Sequence, residues 1–344
     1  MKNIIFGIVA LLTMAVGAQA SEWNFYGSAR VSTFYTDVDN LNAPSAKTFS
    51  QGLSPESVIG AEIKASDAVT GMFEYGSENG GANLRYLYGL WNFGPGSLLI
   101  GQDDGTLAHP GSDQVYNNDG ALGGWGEMVS KKKPQVKLIL GDFRLAFRQP
   151  DNKYNDGTNN VTTNAEVRVP SVEARYDFSG DNWNLAVNGG VFRYRVGTTS
   201  QQSITSYVLG IGGDIRVGAF LLGGNIFGGE NVGNLVDADV NGGDTGNGYA
   251  VYSAGQVRDN EAFAWKVHLT YTINEMFRIH GGYGYMKTEL DNASKDDVQS
   301  TYVQLPVTLA PGVSVVPEIG VVDYRQDTAG NRTRYFGAKW QIDF

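Results

Sequence analysis

Segments of strand length in which apolar and polar residues alternate recur along this chain, about once every twenty residues. The sequence FAWKVHLT (263–270), for example, sets aromatic and aliphatic side chains against lysine, histidine and threonine. Successive side chains of a β-strand point to opposite faces of a sheet, so this period of two predicts strands with one apolar and one polar face. An all-β fold is therefore expected.

Sixteen strands are predicted in this way. They are Trp23–Thr36, Ser57–Ala65, Val69–Gly76, Leu84–Asn92, Gly96–Asp103, Gln135–Leu140, Phe143–Gln149, Glu166–Phe178, Trp183–Val196, Ile204–Val217, Phe220–Gly228, Ala262–Ile273, Phe277–Glu289, Val298–Ala310, Val313–Arg325 and Arg332–Phe344. The connections alternate between short turns and longer loops, and the longer loops are 37–56, 77–83, 104–134, 150–165, 197–203, 229–261, 290–297 and 326–331. An even number of strands with alternating short and long connections predicts an antiparallel up-and-down barrel.

The number of strands decides which face of this barrel is apolar. Sixteen strands make a barrel too wide for side chains to fill, so the interior is expected to hold water and the apolar face to contact lipid. No segment after residue 20 has 18 consecutive apolar residues, and no transmembrane helix is predicted. The sequence thus predicts a transmembrane β-barrel.

The first twenty residues are interpreted as a cleaved secretory signal. Lys2 provides a basic start, residues 4–16 are apolar, and Ala18-Gln19-Ala20 fits a signal-peptidase site. Residues 21–344 are then expected to form a single transmembrane barrel domain.

Composition excludes several classes of function. The formal net charge of −10 does not suit a protein that neutralises nucleic-acid phosphates. The chain contains no cysteine, so neither a disulfide framework nor thiol chemistry is available to it.

The two ends of the predicted barrel resemble a known family. EWNFYGSARVSTFY (22–35) and YFGAKWQIDF (335–344) are similar to the first and last strands of the general bacterial porins of Gram-negative outer membranes. The resemblance implies a homotrimer of sixteen-stranded barrels in contact with outer-membrane lipid and lipopolysaccharide. It also implies passive diffusion of small hydrophilic solutes and ions, and no enzymatic activity.

The resemblance further implies that the third external loop, Asp104–Pro134, folds into the barrel and places acids opposite a basic wall. The acids of this stretch are Asp103, Asp104, Asp113, Asp119 and Glu127. The wall bases that match by strand position are Arg30, Lys64, Arg85 and Lys137. Opposite charges separated by about 8 Å are incompletely screened at physiological salt, so a transverse field across the pore is expected.

Other basic residues also take inward positions in the predicted strands, among them Arg193, Arg195, Lys266 and Lys339. For Arg193 and Arg195 simple solvation of the wall is the preferred interpretation. The loop tip, ALGGWGE (121–127), departs from the Pro-Glu-Phe-Gly-Gly motif of many family members, so the acid that sets the constriction stays open, as does the preference for cations or anions.

A weak calcium candidate lies in the loop 229–261. Asp237, Asp239, Asn241 and Asp244 imitate the start of a calcium-binding loop, but position twelve is Gly248 rather than glutamate. An acidic, solvated outer loop is the preferred interpretation. No resident metal or cofactor is predicted, although divalent cations could bridge such outer-loop acids to lipopolysaccharide.

Two alternative functions stay open. A substrate-specific channel for sugars or anions is one, because Tyr86, Tyr88 and Trp91 share a strand and could form an aromatic track. A barrel-embedded hydrolase is more remote, because no serine–histidine or aspartate–histidine arrangement stands out.

Overall fold

The computed structural model describes residues 22–40, 43–78, 81–109, 111–198, 201–240, 246–325 and 331–344. The predicted signal segment, residues 1–20, lies outside the described residues, as does Ser21. The described chain forms a closed antiparallel barrel of sixteen strands, which confirms the predicted fold class. None of its helical segments is long and apolar enough to cross a bilayer.

The described residues contain twenty-three strand segments. They are β1 Glu22–Asn40, β2 Ala43–Leu53, β3 Val58–Lys64, β4 Val69–Glu78, β5 Gly81–Asn92, β6 Ser97–Asp103, β7 Lys133–Leu140, β8 Phe143–Arg148, β9 Tyr154–Asn155, β10 Asn160–Val161, β11 Ala165–Val167, β12 Ser171–Ser179, β13 Trp183–Val196, β14 Gln202–Val217, β15 Phe220–Glu230, β16 Val251–Ser253, β17 Gln256–Arg258, β18 Asn260–Thr272, β19 Arg278–Leu290, β20 Lys295–Gln304, β21 Val307–Ala310, β22 Val313–Tyr324 and β23 Asn331–Asp343. Three barrel strands are interrupted, as the pairs β2/β3, β11/β12 and β20/β21. Segments β9, β10, β16 and β17 form a separate small sheet, and short helical turns occur at Tyr116–Asp119, Val232–Asn234 and Gly246–Gly248.

The first and last strands close the barrel. β1 pairs with β23 from Ser28 opposite Asp343 to Asn40 opposite Asn331. Its other edge pairs with β3 and β2. Closure matters because a bilayer offers no hydrogen-bond partner to the backbone of an open edge.

The outward face of the sheet is apolar, as the sequence pattern predicts. Exposed residues such as Phe25, Leu87, Leu209, Ile319 and Trp340 alternate with side chains on the opposite face. In a soluble barrel these positions would be buried, so their exposure fits a surface that contacts lipid.

The inward face is only partly polar, which differs from the prediction. Inward residues of β13 and β14, including Phe192, Tyr194 and Ile204, are buried in an apolar cluster. Arg193 and Arg195 alternate with those residues and are exposed, so the inward assignment of these two arginines is wrong. The strand is apolar on its inward side because long connections pack against it, a contact that strand parity alone does not reveal.

The predicted alternation of turns and loops is also weaker than expected. Strand pairing runs to Asn40 in β1 and resumes at Ala43 in β2, so most of the predicted loop 37–56 is sheet. The predicted loop 77–83 is likewise largely taken up by β4 and β5. The long connections are 104–132, 149–164 and 231–259. They follow β6, β8 and β15, which all run in the same direction, so the three connections lie at the same end of the barrel.

Barrel closure gives a first prediction at Gly337. A side-chain carbon at this position would lie 2.1 Å from the Thr33 carbonyl oxygen and 2.4 Å from the Phe34 ring. Gly337→Val is therefore expected to lower the temperature at which the folded barrel unfolds on a heat-modifiability gel, because overpacking costs about 1–3 kcal/mol.

Ala338→Val is the matched control, because Ala338 is the next residue and faces outward. Equal unfolding temperatures for the two variants would show that the close approach at Gly337 does not limit closure.

Candidate functional site

The segment of residues 104–132, here called the β6–β7 segment, is bonded to many strands of the barrel wall. Its described residues bond to side chains of β1, β12, β13, β15, β18, β19, β20, β22 and β23. All of these wall partners lie on the face opposite the exposed apolar residues.

The tip of the segment is held by one carboxylate that two cations share. Asp119 accepts from Arg30 at 2.6 Å and from Lys339 at 2.9 Å. Beside this ion pair, Tyr116 stacks on Tyr335 with ring centroids 3.8 Å apart. The contacts fix the tip against β1 and β23, the two strands that close the barrel.

Glu318 satisfies backbone groups just before the tip. Its buried carboxylate accepts from the backbone N–H of Val115 at 2.7 Å and of Tyr116 at 3.0 Å. Gln114 adds side-chain bonds to Tyr335 and Ser300. A segment without regular structure leaves its backbone donors unpaired, and buried donors need partners of this kind.

Glu127 and Lys266 form a buried ion pair farther along the segment. The carboxylate and the ammonium are 2.6 Å apart and both side chains are almost fully buried. The backbone N–H of Ser112 also donates to Glu127. Burial raises the pKa of the Glu127 carboxyl, while the charge of Lys266 acts in the opposite direction.

The start of the segment is held by a second set of charges. Asp103 contacts Lys137 at 2.6 Å. Asp104 contacts Lys132 at 3.2 Å and accepts from the Tyr86 hydroxyl.

Glu173 anchors the next residues of the segment. It pairs with Arg148 and accepts from the backbone N–H of Thr106 at 2.8 Å. Arg148 also donates to the backbone carbonyl of Lys131, so both ends of the segment are tied to the wall.

Two of the predicted wall bases have other partners. Arg85 pairs with Glu56 at 2.5 Å and with Glu74 at 2.6 Å, both on neighbouring strands or their connection. Lys64 pairs with Asp67 at 2.9 Å in a short turn, where it lowers the pKa of that carboxyl. Neither base contacts an acid of the β6–β7 segment.

The structure thus brings some predicted residues together and separates others. Arg30 meets Asp119, and Lys137 meets Asp103, whereas the partner of Glu127 is Lys266. Lys266 and Lys339 are missing from the predicted basic wall, although strand parity places both on the inward face. Their pairing depends on where the segment folds, which no local pattern specifies.

A cavity of about 580 Å³ lies between the segment and the strands β1 and β19–β23. Arg30, Asp119 and Lys339 line it in paired form, together with Asp113 and Arg278. Asp113 is 71% exposed and its carboxylate lies 3.9 Å from the His280 ring. Arg278 is exposed and has no ion pair among the described residues. Asp343 also lines the cavity and is exposed, so these three are the charges of the cavity most accessible to a solute.

The weak calcium candidate is not assembled as a cation site in the described part of the loop. Asp237 faces Lys131 at 3.5 Å, and Asp239 accepts from the Tyr324 hydroxyl at 3.1 Å. Burial raises the pKa of Asp237. Asn241 and Asp244 lie outside the described residues. Within the described ranges, no group of three acidic, histidine or cysteine side chains is placed to hold a metal.

The same loop instead covers the β6–β7 segment. The backbone N–H of Asp237 donates to Val129, and that of Asp239 donates to Gly124. The Val251 strand end also pairs with Asn155 of the preceding long connection. The three long connections therefore form one packed unit.

The buried Glu127–Lys266 pair gives a second prediction. Lys266→Met leaves a buried carboxylate without its counter-charge, which is expected to destabilise the anchored segment by about 3–5 kcal/mol. Hydrogen exchange should accelerate at the amides of His109, Trp125 and Glu127, whose hydrogen bonds lie within the segment.

The double variant Glu127→Gln/Lys266→Met removes both charges and is expected to recover most of the exchange protection. Equal exchange in the wild type and the single variant would contradict an anchoring role for this pair.

Comparisons with known proteins support the fold. No protein-family model and no curated protein matches the sequence. Among solved structures, the outer membrane channel DcaP of Acinetobacter baumannii matches with a TM-score of 0.76 at 17% identity, over 94% of this chain and 97% of that chain. The anion-selective porin from Comamonas acidovorans matches with a TM-score of 0.61 at 11% identity, over 94% and 100%. The trimer form of OmpT, an outer membrane protein of Vibrio cholerae, matches with a TM-score of 0.60 at 15% identity, over 95% and 100%. The chain has the fold of the Gram-negative outer-membrane porins.

Proposed function

We propose that this protein is an integral outer-membrane channel through which small hydrophilic solutes and ions diffuse passively. One observation carries the proposal. A closed barrel with an apolar outer face contains a charged cavity beside a long segment that is bonded to the opposite face. Such an arrangement offers a polar route across an apolar layer and needs no bond-making residue.

We infer that the β6–β7 segment narrows this route. Its wall partners belong to strands distributed around most of the barrel, from Arg30 on β1 to Asn188 on β13 and Lys339 on β23. The inward faces of distant strands in a closed barrel meet only in the lumen. We therefore infer that a segment bonded to so many of these faces occupies part of the lumen. The other two long connections pack with the β6–β7 segment as one unit, which supports the same location in the lumen.

The ion pairs change the expected field across the pore. A pair at contact distance acts on a solute mainly as a dipole, so the paired Asp119 and Arg30 attract an ion less than separated charges would. The accessible charges Asp113, Arg278 and Asp343 then dominate the interaction with passing ions. Their opposite signs favour polar and charged solutes over apolar ones, which would have to displace bound water.

A substrate-specific channel is a weaker candidate. Trp91 is 52% exposed and lies on the outward face, so it cannot extend an aromatic track with Tyr86 and Tyr88. Tyr86 and Tyr88 instead donate their hydroxyls to Asp104 and to the sulfur of Met72.

The hydrolase alternative is also disfavoured. His280 bonds the hydroxyls of Thr270 and Tyr302 and lies deep beneath the segment. His109 bonds Asn188, and burial lowers its pKa to about 4. The solved structures of similar fold described as a channel or a porin support transport rather than catalysis.

Assembly as a homotrimer is part of the proposal and leads to a third prediction. In planar bilayers, purified protein is expected to insert as events that each contain three equal conductance steps. Closure at high voltage should then occur in thirds of the inserted conductance. Insertion only as independent single steps would contradict the trimer.

Ion selectivity gives a fourth prediction, centred on Asp113. Asp113→Asn removes an accessible negative charge and is expected to lower the cation-to-anion permeability ratio about two- to fivefold. The interaction of one such charge with a passing ion in water is worth up to about 1 kcal/mol, which corresponds to a factor of about five. The reversal potential in a potassium chloride gradient measures this ratio.

Two matched variants test the role of accessibility. Arg278→Gln should shift the reversal potential in the opposite direction, whereas the double variant Glu127→Gln/Lys266→Met should leave it nearly unchanged because it removes a buried pair with no net charge. A larger shift for the Glu127→Gln/Lys266→Met variant than for Asp113→Asn would contradict the proposed solute path.

A further inference from the structure

Two arginines stand out on the outward face of β13. Arg193 and Arg195 are two positions apart and exposed, and they share the face of Val187 and Val191. Arginine on a lipid-facing position is costly at the bilayer midplane and tolerated near its surfaces. The depth of these residues therefore decides what they can contact.

The apolar part of the outward face ends just before them. It runs along β13 from Trp183 to Val191, about 27 Å of strand at 3.3 Å per residue. With a tilt of about 40°, this length covers roughly 20 Å of membrane, close to the apolar band of outer-membrane barrels. Tyr207, opposite Val191 on β14, is 44% exposed at the same level, a typical place for an interfacial aromatic residue.

The two arginines have no acidic partner in the described part of the protein. Their neighbours on β14 are Thr205 and Ser203, which carry no charge. Glu166 lies opposite Arg195 on the other side, but its carboxylate accepts two bonds from Arg168, at 3.0 and 2.9 Å. Across the described ranges, neither Arg193 nor Arg195 takes part in an ion pair.

A similar pair on the opposite part of the barrel is neutralised. Arg332 and Arg334 of β23 are also two positions apart and outward-facing, at the same end of the barrel. Arg334 contacts Asp39 at 2.6 Å, and Arg332 contacts Asp323 at 4.0 Å. Surplus positive charge is therefore a property of the β13 face and not of every outward arginine.

We propose that Arg193 and Arg195 bind a phosphate group of a phosphorylated glycolipid, lipid A, in the outer leaflet. The long connections mark this end of the barrel as external, and the outer leaflet supplies anionic headgroups beside its apolar chains. Guanidinium groups bind phosphate bidentately, and residues two apart on a strand lie about 7 Å from each other, within reach of one headgroup. The ring of Tyr207 then contacts the chains below the phosphate. The site rests on the proposed membrane location and is independent of solute diffusion.

The test compares Arg193→Gln/Arg195→Gln with the matched control Arg332→Gln/Arg334→Gln. Each purified protein in detergent is titrated with bisphosphorylated lipid A, and bound lipid is measured by native mass spectrometry. Loss of two charge-assisted contacts is expected to weaken binding about tenfold in the first variant, with a change below about twofold in the control. Lipid A without phosphates should bind the wild type and both variants equally.

Two further measurements separate a loss of lipid binding from a loss of folding. A heat-modifiable gel band verifies that each barrel is folded, and Arg193→Lys/Arg195→Lys should retain part of the affinity because charge remains without the bidentate geometry. Equal lipid A binding by the wild type and the Arg193→Gln/Arg195→Gln variant would overturn the proposal.

A change of oligomeric state in that variant would also overturn it, by assigning the arginines to a contact between copies of the chain. Conductance is recorded in parallel. Unchanged conductance together with reduced lipid A binding in the Arg193→Gln/Arg195→Gln variant supports the proposal. Absence of conductance in the wild type would contradict the proposed channel function, but it would not affect the result on lipid A binding.

Discussion

Pairing between β1 and β23 is the contact on which the rest of this structure depends. Every strand of the barrel forms backbone hydrogen bonds with its two neighbours. The pairing of β1 with β23 gives the first and last strands a neighbour on both sides. In an apolar layer an open edge would leave a row of N–H and C=O groups unsatisfied, at a cost of several kcal/mol each. The small residue at Gly337 belongs to the same requirement, because Thr33 and Phe34 approach its backbone closely.

The inward face of the closed barrel supplies hydrogen-bond partners to the long β6–β7 segment. An irregular segment beside the inward face has backbone donors that water alone cannot reach where the segment is buried. Glu318 and Glu173 accept those donors, and Lys266 neutralises Glu127. Once the segment is held, Leu122 and Met128 can pack against inward apolar residues of the second half of the chain. The polar anchors and the apolar cluster thus depend on each other.

The sequence predicts the barrel well because the alternation of apolar and polar residues can be recognised within each strand, and the strands can then be counted along the chain. Sixteen strands, the apolar outer face and a long connection after the fifth strand all follow from them. Parity fails at Phe192 and Tyr194, because the face that carries Arg193 and Arg195 is the outward one and the apolar face is turned inward by packing against a loop distant in sequence. The same limit explains why the sequence does not match Lys266 and Lys339 to Glu127 and Asp119, since ion pairing across a lumen depends on the path of the segment.

Accessible charges that are not paired at contact distance are the places where we propose that other molecules act on the protein. Most charged side chains of the β6–β7 segment and its wall are paired at contact distance, so their fields largely cancel beyond the pair. Asp113 and Arg278 face a water-accessible cavity, and Arg193 and Arg195 face the outer surface at the end of the apolar band. A charge that is unpaired but in contact with water has a low free-energy cost. An ion of opposite sign that binds to it is attracted by the full charge, because no neighbouring side chain neutralises it. The same physical rule therefore underlies both proposals, ion selectivity at the cavity and binding of a lipid phosphate at Arg193 and Arg195.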